Sequence, residues 1–426
     1  MNPIRAIVIG YGDRGSIYAS YALLEPQKLQ IVGVVDVNPY RLKVAQKDFN
    51  LEDKYLFKDI NECLDSKISV DLYINATMDE KHYEILKTII PIGKPVLTEK
   101  PIVNNKQQLL ELEDLANKWY TPIFVGHVLR YTPFYRTIKE LILNGEIGEI
   151  RAMELAEHVG SAHYAGSYIR GRWRSEEACG SSLLLAKSCH DIDIMCWLNN
   201  NTVPELVSSF GGRYFFKEEN APKGATEFCY NCPLEKECYY SAIKLYYESN
   251  YSAEQTYVQL NKEVITDQDK LSFLKTNNFG RCVFKIKESD VCDRQNVIVS
   301  FKNGSVGEFT LVGGCPEANR TISIIGTNGE IEGKAEQGII YLKKNKFNDT
   351  NPIVKTIDVN KEIFVKDGKG SGHHGGDYEI MNSIISYLNG DHNIVTITKL
   401  EDSINGHLVV YAADKSRLEG KTEKIR

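Results

Sequence analysis

Residues 6–15 read AIVIGYGDRG, an apolar strand that runs directly into three glycines, Gly10, Gly12 and Gly15. A helix is predicted next, over residues 16–24, before a proline ends the helical stretch. In order, the glycines allow a tight turn, close approach of the backbone to a pyrophosphate, and tight packing of the helix on the strand. Free N–H groups at the start of that helix attract phosphate. This order of strand, turn and helix predicts a dinucleotide-binding turn.

A carboxylate follows at the position where dinucleotide-binding folds hold the ribose. The second predicted strand, residues 31–35, ends in Asp36, which lies 36 − 15 = 21 residues past Gly15. A carboxylate there accepts a hydrogen bond from the ribose 2′-OH and repels a 2′-phosphate, so Asp36 predicts NAD as the cofactor. Arg41 follows closely and softens that preference, which leaves NADP open. The cofactor-binding residues predicted in this region are Gly10, Gly12, Asp13, Arg14, Gly15 and Asp36.

Length and composition are those of an ordinary globular protein. The 426 residues favour two or three domains, and 25% of them are charged and 42% hydrophobic. The formal net charge of −6 argues against a nucleic-acid partner and against attraction to anionic membranes. No apolar run approaches the length of a membrane span, and the N-terminus lacks a signal-peptide pattern. We therefore expect a cytoplasmic protein whose ten cysteines are thiols or metal ligands rather than disulfides.

The pattern of secondary structure changes near residue 125. Before it, short apolar strands alternate with helices, which predicts an α/β Rossmann domain with a parallel, doubly wound sheet over residues 1–125. After it, alternating strands and Asn-Gly turns at Asn303 and Asn328 predict an α+β domain with an open, mainly antiparallel sheet over residues 126–426. A Cys-rich insertion near residues 217–282 interrupts this second domain.

Several motifs occur in an order that resembles the Gfo/Idh/MocA family of NAD(P)-dependent sugar oxidoreductases. The resemblance extends over essentially the whole chain, and Glu99-Lys100-Pro101 is its most specific motif. The other motifs are the glycine turn, Asn75-Ala76-Thr77 with His82 after it, Gly126-His127-Val128-Leu129-Arg130, Trp173-Arg174, and Ser188-Cys189-His190-Asp191-Ile192-Asp193.

The resemblance implies a fold, an activity and an assembly. It implies a Rossmann domain followed by an α+β domain whose open sheet forms the contact of a homodimer or homotetramer. It also implies reversible hydride transfer between a nicotinamide and a secondary hydroxyl of a sugar, cyclitol or sugar derivative. The residues it assigns to the cofactor are Ala76, Thr77, His82, Glu99 and Lys100. The residues predicted to contact substrate are His127, Arg130, Trp173, Arg174, Asp193 and His374, the last in a glycine-rich loop at residues 370–377.

Oxidising a secondary alcohol requires a group that takes the hydroxyl proton while hydride leaves. Lys100 suits this role, because it follows a strand at the edge where doubly wound sheets bind ligands. His190 is its predicted partner. The family has an aspartate four residues before this histidine, where this chain has Ala186. Lys187 is therefore the third catalytic candidate, since a charge in a mostly apolar run is costly unless it has a role.

A cluster of cysteines lies in the insertion. Cys229-x-x-Cys232 is followed by Cys238, and Cys282 completes a set of four. Two interpretations stay open: a tetrahedral structural zinc site with no free position for catalysis, or reduced thiols without a metal.

Three functions fit these features. The leading prediction is an NAD(P)-dependent dehydrogenase acting on the CH–OH group of a carbohydrate. The first alternative is a glycosidase, sugar lyase or isomerase that uses tightly bound NAD as a recycled oxidant, which the replacement of the aspartate by Ala186 keeps open. The second alternative is a non-catalytic, nicotinamide-sensing regulator, which would need neither Lys100 nor His190.

Overall fold

The computed structural model describes residues 2–251, 256–262, 264–346, 349–363 and 372–426. Positions 370 and 371 of the predicted glycine-rich loop, and positions 252–255 and 263 of the predicted insertion, lie outside the described residues. Within the described ranges, none of the helices combines the length and the apolar character needed to cross a bilayer.

The first sheet has six parallel strands in the order β3-β2-β1-β4-β5-β6. This is the predicted Rossmann-type sheet, and the predicted α/β fold class is confirmed. The central strands are buried on both faces, because helices cover the sheet on each side and leave no room for polar alternation. The strands are β1 (Ile4–Ile9), β2 (Leu29–Val35), β3 (Leu56–Phe57), β4 (Leu72–Asn75), β5 (Val96–Thr98) and β6 (Ile123–Val125).

The helices of this region follow the predicted alternation. Asn38 and Asp59 start two of them by accepting hydrogen bonds from the first-turn N–H groups. The helices are α1 (Asp13–Leu24), α2 (Pro39–Phe49), α3 (Ile60–Asp65), α4 (His82–Ile89) and α5 (Lys106–Trp119).

The second sheet has nine strands in the order β14-β13-β12-β11-β7-β10-β9-β8-β15. All its pairings are antiparallel except that of β10 with β7, so the predicted mainly antiparallel sheet is confirmed. Both predicted Asn-Gly turns join antiparallel neighbours, β9 to β10 and β11 to β12. The strands are β7 (Ile150–Gly160), β8 (Pro204–Gly212), β9 (Arg294–Phe301), β10 (Val306–Cys315), β11 (Asn319–Gly326), β12 (Gly329–Lys334), β13 (Ile339–Lys346), β14 (Asp349–Asp358) and β15 (Glu423–Lys424).

Helices cover one face of this second sheet. Helix α10 is buried along its whole length, because it packs on β7 and β10 and is covered by α13. The helices are α6 (Pro133–Leu143), α7 (Ser161–Tyr164), α8 (Glu176–Cys179), α9 (Leu183–Ala186), α10 (Cys189–Leu198), α11 (Asp267–Thr276), α12 (Gly376–Leu388) and α13 (Leu400–Glu419).

Helix α12 packs against the first sheet although it lies far along the chain. Ile380, Met381 and Ile384 share one buried core with β1, β2 and β4. Just after this helix, Thr398 accepts a hydrogen bond from the N–H of Val125 through its carbonyl, at 2.8 Å. The nucleotide-binding side of the molecule is therefore completed by residues from the second half of the sequence.

The insertion between β8 and β9 contains little regular structure besides α11. Its described residues form a small apolar cluster of their own around Tyr246, Tyr257 and Phe273. A core of this size stabilises a loop-rich segment only weakly.

Candidate active site

The glycine turn has the shape that a pyrophosphate requires. Gly10 has φ +87°, and a Cβ there would lie 2.6 Å from the carbonyl oxygen of Ala76. A Cβ at Gly15 would lie 1.9 Å from the carbonyl oxygen of Gly10, so α1 packs directly on the turn. A Cβ added at Gly12 would lie 3.5 Å from its nearest neighbour, Nη1 of Arg41. The Gly12 N-cap of α1 provides no side-chain hydrogen bond to the first N–H groups of the helix. The turn therefore offers open N–H groups to an anion.

Asp36 lies at the end of β2, next to this turn. Its carboxylate is buried and accepts hydrogen bonds from the backbone N–H of Tyr11 at 2.7 Å and of Asn38 at 2.8 Å. Nη1 of Arg41 lies 3.8 Å from Oδ2 of Asp36. The geometry suits a ribose-binding carboxylate, and the nearby guanidinium is the group that would soften rejection of a 2′-phosphate.

Arg14 and Glu99 bind each other and a distant residue. Nε of Arg14 donates to Glu99 at 2.7 Å, and its Nη1 donates to Asp377 of α12 at 2.8 Å. Glu99 also accepts from the hydroxyl of Tyr18. Burial raises the pKa of Glu99, but Arg14 and Lys100 outweigh this effect and lower it. These contacts hold the first turn of α1 beside Glu99 and Asp377. Asp13, in the same turn, is exposed.

The residues after β4 form a hydrogen-bonded corner. Thr77 donates its hydroxyl to Oδ1 of Asn75 at 2.8 Å, and Ala76 lies beneath Gly10. His82 is fully buried, with Nδ1 2.6 Å from the carbonyl oxygen of Pro101 and Nε2 3.1 Å from that of Thr77. His82 therefore connects the loops that follow β4 and β5 from within the protein, and its contact with the cofactor stays a prediction.

Lys100 connects the two halves of the site. It follows β5, and its Nζ donates to the carbonyl oxygen of Ala186 at 2.6 Å. The position where the family resemblance predicts an aspartate thus supplies a backbone acceptor to Lys100. Among the described residues no carboxylate forms an ion pair with its ammonium group.

Three histidines surround the next part of the site. The ring of His127 lies 5.6 Å from that of His190 and 5.4 Å from that of His407, between ring centroids. Burial lowers the pKa of both His127 and His190 well below the usual value, and nearby cations, including Lys100, lower it further. Both rings are therefore neutral at neutral pH. Sequence reasoning missed His407, which lies in the middle of a long helix without a motif.

Arg130 and Asp193 form a buried salt bridge. Nε and Nη2 of Arg130 donate to the two carboxylate oxygens of Asp193 at 2.7 and 2.6 Å, and both residues are at most 1% exposed. Nε2 of His127 lies 3.6 Å from Oδ1 of Asp193. The pair therefore lies beside His127, and direct contact of Arg130 or Asp193 with substrate stays a prediction.

Lys187 belongs to a buried network of charges. Its Nζ lies 3.1 Å from Oε1 of Glu157, which also pairs with Arg320, and Nε of Arg320 donates to Asp191 at 2.9 Å. Burial lowers the pKa of Lys187, although Glu157 opposes that effect. Glu157 therefore balances the charge of this lysine inside the protein. The catalytic role of Lys187 stays a prediction.

Sequence reasoning missed Glu157, Arg320 and His163. Arg320 lies directly across from Glu157 in the pairing of β11 with β7, so this contact joins residues 163 positions apart. Burial, together with the nearby Lys187, lowers the pKa of His163 to about 3. No local sequence pattern marks the contact of Glu157 with Arg320, because the two residues lie on strands that become neighbours only in the folded sheet.

The remaining substrate candidates lie at the rim of the site. Nε1 of Trp173 donates to Asp79 at 3.1 Å, which ties residues 172–174 to the segment after β4. Arg174 donates to the carbonyl oxygen of Gly171 at 3.0 Å. His374 is exposed, with φ +53°. Their contacts with substrate stay predictions.

The four predicted metal ligands lie in a different place. Cys229, Cys232, Cys238 and Cys282 line one small cavity in the insertion. In the described part of the chain, no group of three or more His, Cys, Asp or Glu side chains is spaced to hold a metal ion. The distances between these four cysteines therefore do not support the predicted zinc site.

Comparison with known proteins places this geometry in a family. Residues 4–127 match the family described as "Oxidoreductase family, NAD-binding Rossmann fold", and residues 139–425 match "Oxidoreductase family, C-terminal alpha/beta domain". The protein YteT of Bacillus subtilis is 25% identical over 368 residues, which cover 82% of this chain and 80% of YteT. The inositol 2-dehydrogenase/D-chiro-inositol 3-dehydrogenase of Lactiplantibacillus plantarum is 24% identical over 195 residues, 46% of this chain and 52% of that relative.

Solved structures agree over nearly the whole chain. The myo-inositol 2-dehydrogenase from Lactobacillus plantarum superposes with a TM-score of 0.65 at 16% identity and covers 100% of both chains. The WlbA dehydrogenase from Bordetella pertussis, solved with NADH and UDP-GlcNAcA, gives 0.67 at 15% identity and covers 99% of this chain and 98% of WlbA. At these identities the likeness shows the fold alone. With both family descriptions matched across most of its length, the chain belongs to the Gfo/Idh/MocA family of NAD-binding oxidoreductases.

Proposed function

We propose that this protein is an NAD(P)-dependent dehydrogenase that transfers hydride between the nicotinamide and a secondary hydroxyl of a sugar, cyclitol or sugar derivative. One observation carries the proposal: the ammonium group of Lys100 reaches from the end of β5 to the carbonyl oxygen of Ala186, which lies four residues before His190. This arrangement combines a cation and a proton acceptor at the edge of the sheet where such folds bind ligands.

The residues present fit NAD. The open N–H groups after Gly12 suit a pyrophosphate, and the buried carboxylate of Asp36 suits the ribose. When bound, this cofactor supplies the carbon that accepts or returns the hydride.

The protein's own residues then handle the proton. Lys100 can donate a hydrogen bond to the substrate oxygen and stabilise the negative charge that develops as its proton leaves. His190 is the proposed acceptor of that proton, because Nδ1 of its ring has no hydrogen-bond partner among the described residues. Arg130 and Asp193 form a buried pair beside His127, whose ring lies 5.6 Å from that of His190 between centroids. The reverse reaction uses the same groups with the opposite proton movement.

A polyhydroxylated substrate fits the surroundings of these groups. Lys187, Glu157 and Arg320 place several hydrogen-bonding groups around His163, next to the acid–base pair. Sugars and cyclitols carry many hydroxyls that such groups recognise. The names of the inositol dehydrogenase relative and of the WlbA complex are consistent with this class of substrate.

The test measures nicotinamide absorbance with wild-type protein and a panel of sugars, cyclitols, glycosides and anhydrosugars. Lys100→Met should abolish turnover and leave NAD affinity, measured by calorimetry, nearly intact. Lys94→Met is the matched control, because Lys94 is exposed just before β5 and Lys100 follows the same strand at its other end. Full turnover in Lys100→Met would refute the assignment. Turnover of glycosides without net NADH formation would instead support the recycled-oxidant alternative.

We also propose that the outer face of the second sheet joins two copies of the chain. Phe210, Ile298, Val306 and Tyr341 are 42–69% exposed there, on the face that helices leave uncovered. Light scattering should show a dimer or tetramer that Ile298→Glu weakens. The control Val264→Glu, at an exposed apolar residue of the insertion, should leave the assembly unchanged. A monomeric wild type would refute this proposal.

A further inference from the structure

The insertion between β8 and β9 reaches the loop that follows β2 in the first sheet. Nδ2 of Asn38 donates a hydrogen bond to Oδ1 of Asn261 at 2.8 Å, although the two residues lie 223 positions apart. The backbone N–H of Asn38 donates to Asp36 at 2.8 Å, and Asn38 is the residue that begins α2. A segment of the second domain therefore contacts the residue two positions after the proposed ribose ligand.

The loop that follows β4 is held by the second domain as well. Nη2 of Arg172 donates to both carboxylate oxygens of Glu80, at 2.6 and 2.7 Å. Because β2 and β4 are the two neighbours of β1, the loops after them lie on either side of the glycine turn that follows β1. Residues of the second domain thus contact both loops that flank the turn.

These two contacts belong to one packed unit. Arg170, two residues before Arg172, is 1% exposed. Its guanidinium donates to the carbonyl oxygen of Arg281 at 2.7 Å and to that of Tyr240 at 2.6 Å, and both acceptors lie in the insertion. Hydrogen bonds from a buried, charged donor are among the stronger ones in proteins. Residues 165–174 and the insertion are therefore joined where they approach the first sheet.

The chemistry of NAD indicates what lies next to the loop after β2. Adenine is attached to C1′ of its ribose, beside the carbon that carries the 2′-OH. A ribose bound through this hydroxyl to Asp36 therefore brings the adenine close to the residues that follow Asp36. Directly after it, Val37 is 88% exposed, and a flat aromatic base would bury this apolar side chain.

Asn261 has a donor that is free for such a base. Its Oδ1 accepts from Asn38, whereas none of the residues that the structure describes accepts a hydrogen bond from its Nδ2. The ring nitrogens of adenine are acceptors for amide N–H groups. The backbone of Asn261 has φ +50°, a left-handed conformation that asparagine tolerates better than most residues other than glycine.

We propose that the insertion forms the outer wall of the subsite for the adenosine half of NAD, and that Asn261 donates a hydrogen bond to the adenine. Asn38 positions the amide of Asn261, while the pairing of Arg172 with Glu80 fixes the other side of the subsite. The inference rests on the NAD site of the proposed function and is independent of which sugar reacts.

The first experiment titrates ADP-ribose, which contains the adenosine half of NAD without nicotinamide, into full-length protein by calorimetry. Asn261→Gly removes the side chain and retains the left-handed backbone, so it should weaken binding by about three- to tenfold, the effect of one hydrogen bond. Asn250→Gly is the matched control. Asn250 is also an exposed residue of the insertion with φ +50°, but its side chain accepts from Lys270 of α11, and its loss should leave the affinity unchanged.

The second experiment measures hydrogen–deuterium exchange. ADP-ribose should slow exchange of the backbone amides of residues 256–262 in the wild type, and should protect them less in Asn261→Gly at equal occupancy. Asn38→Ser retains an oxygen that can cap α2 but loses the amide donor, so it should reduce the protection in the same way.

The outcomes separate this inference from the proposed function. Equal affinity of the wild type and Asn261→Gly for ADP-ribose would overturn the contact of Asn261 with adenine. Unchanged exchange of residues 256–262 would overturn the wall. A wild type that does not bind ADP-ribose would overturn this subsite together with the proposed NAD site. Protection by ADP-ribose in a protein that oxidises no sugar would refute the proposed reaction and support this inference. If Asn261→Gly fails to fold, the wild type and Asn38→Ser decide by exchange.

Discussion

His407 should make the protein less stable in mild acid, and the structure explains how. Its Nε2 accepts a hydrogen bond from the N–H of Ile102 at 3.0 Å, and its Nδ1 lies 3.3 Å from the carbonyl oxygen of Ser403. Only the neutral ring, protonated on Nδ1, satisfies both contacts. A second proton would remove the acceptor from Ile102, which follows the Lys100-Pro101 segment directly. Burial, together with the nearby His127, lowers the pKa of His407 to about 3.

The magnitude follows from proton linkage. Above about pH 6.5, the ordinary pKa, both folded and unfolded states hold a neutral ring, so the stabilising contribution is fully present. Below that pH the unfolded state binds a proton that the folded state refuses until about pH 3. The free energy of unfolding then falls by about 1.4 kcal/mol for each pH unit. Between pH 6.5 and 5 the loss from this one residue is about 2 kcal/mol.

The assay is urea unfolding at pH 7 and pH 5, with wild-type protein and His407→Gln. The glutamine retains an acceptor and a donor but does not titrate, so its free energy of unfolding should fall by about 2 kcal/mol less than that of the wild type. His392→Gln is the control, because His392 is exposed near the end of α12, and it should follow the wild type. Equal pH dependence in wild type and His407→Gln would refute the neutral, acceptor state of His407.

Further predictions concern the cofactor and the proton acceptor. Asp36→Ala should weaken NAD binding by about 1–3 kcal/mol and reduce the preference for NAD over NADP. Titration of each cofactor measures both affinities. Unchanged affinity for both would mean that Asp36 does not bind the ribose. His190→Ala should lower kcat by roughly 10²–10⁴-fold, as the loss of an acid–base group does. Lys187→Met should reduce kcat less than His190→Ala does, because Glu157 already balances the charge of Lys187. A loss equal to that of His190→Ala, with a shifted pH–rate profile, would make Lys187 a catalytic residue.

Local sequence signals located the nucleotide-binding half well. Strand, glycine turn and helix appear at positions 6–24 as predicted, because their signals are contained within a few residues. The short β3 was missed, since two residues show no periodicity. Strand β14 was also missed, because its residues are almost all exposed and no apolar alternation marks it.

The candidate site shows the same division. Lys100 and His190 carry recognisable motifs, and the structure brings them together through Ala186 and its helix. Glu157 and Arg320 meet only because β7 and β11 are neighbours, which no local pattern reveals. The burial of His82 was not foreseen for a related reason: a histidine after a strand end looks accessible in sequence, but its ring lies against the loop after Lys100.

The packing of α12 on the first sheet has a consequence for synthesis of the chain. A ribosome that has completed β6 must add 375 − 125 = 250 more residues before α12 begins. At roughly 5–20 residues per second this interval is on the order of 10–50 seconds. During that time the apolar side chains that α12 covers, among them Tyr21 and Phe124, remain without their final partner. A nascent chain stalled within this interval should therefore bind holdase chaperones, and release of α12 from the ribosome should end that binding.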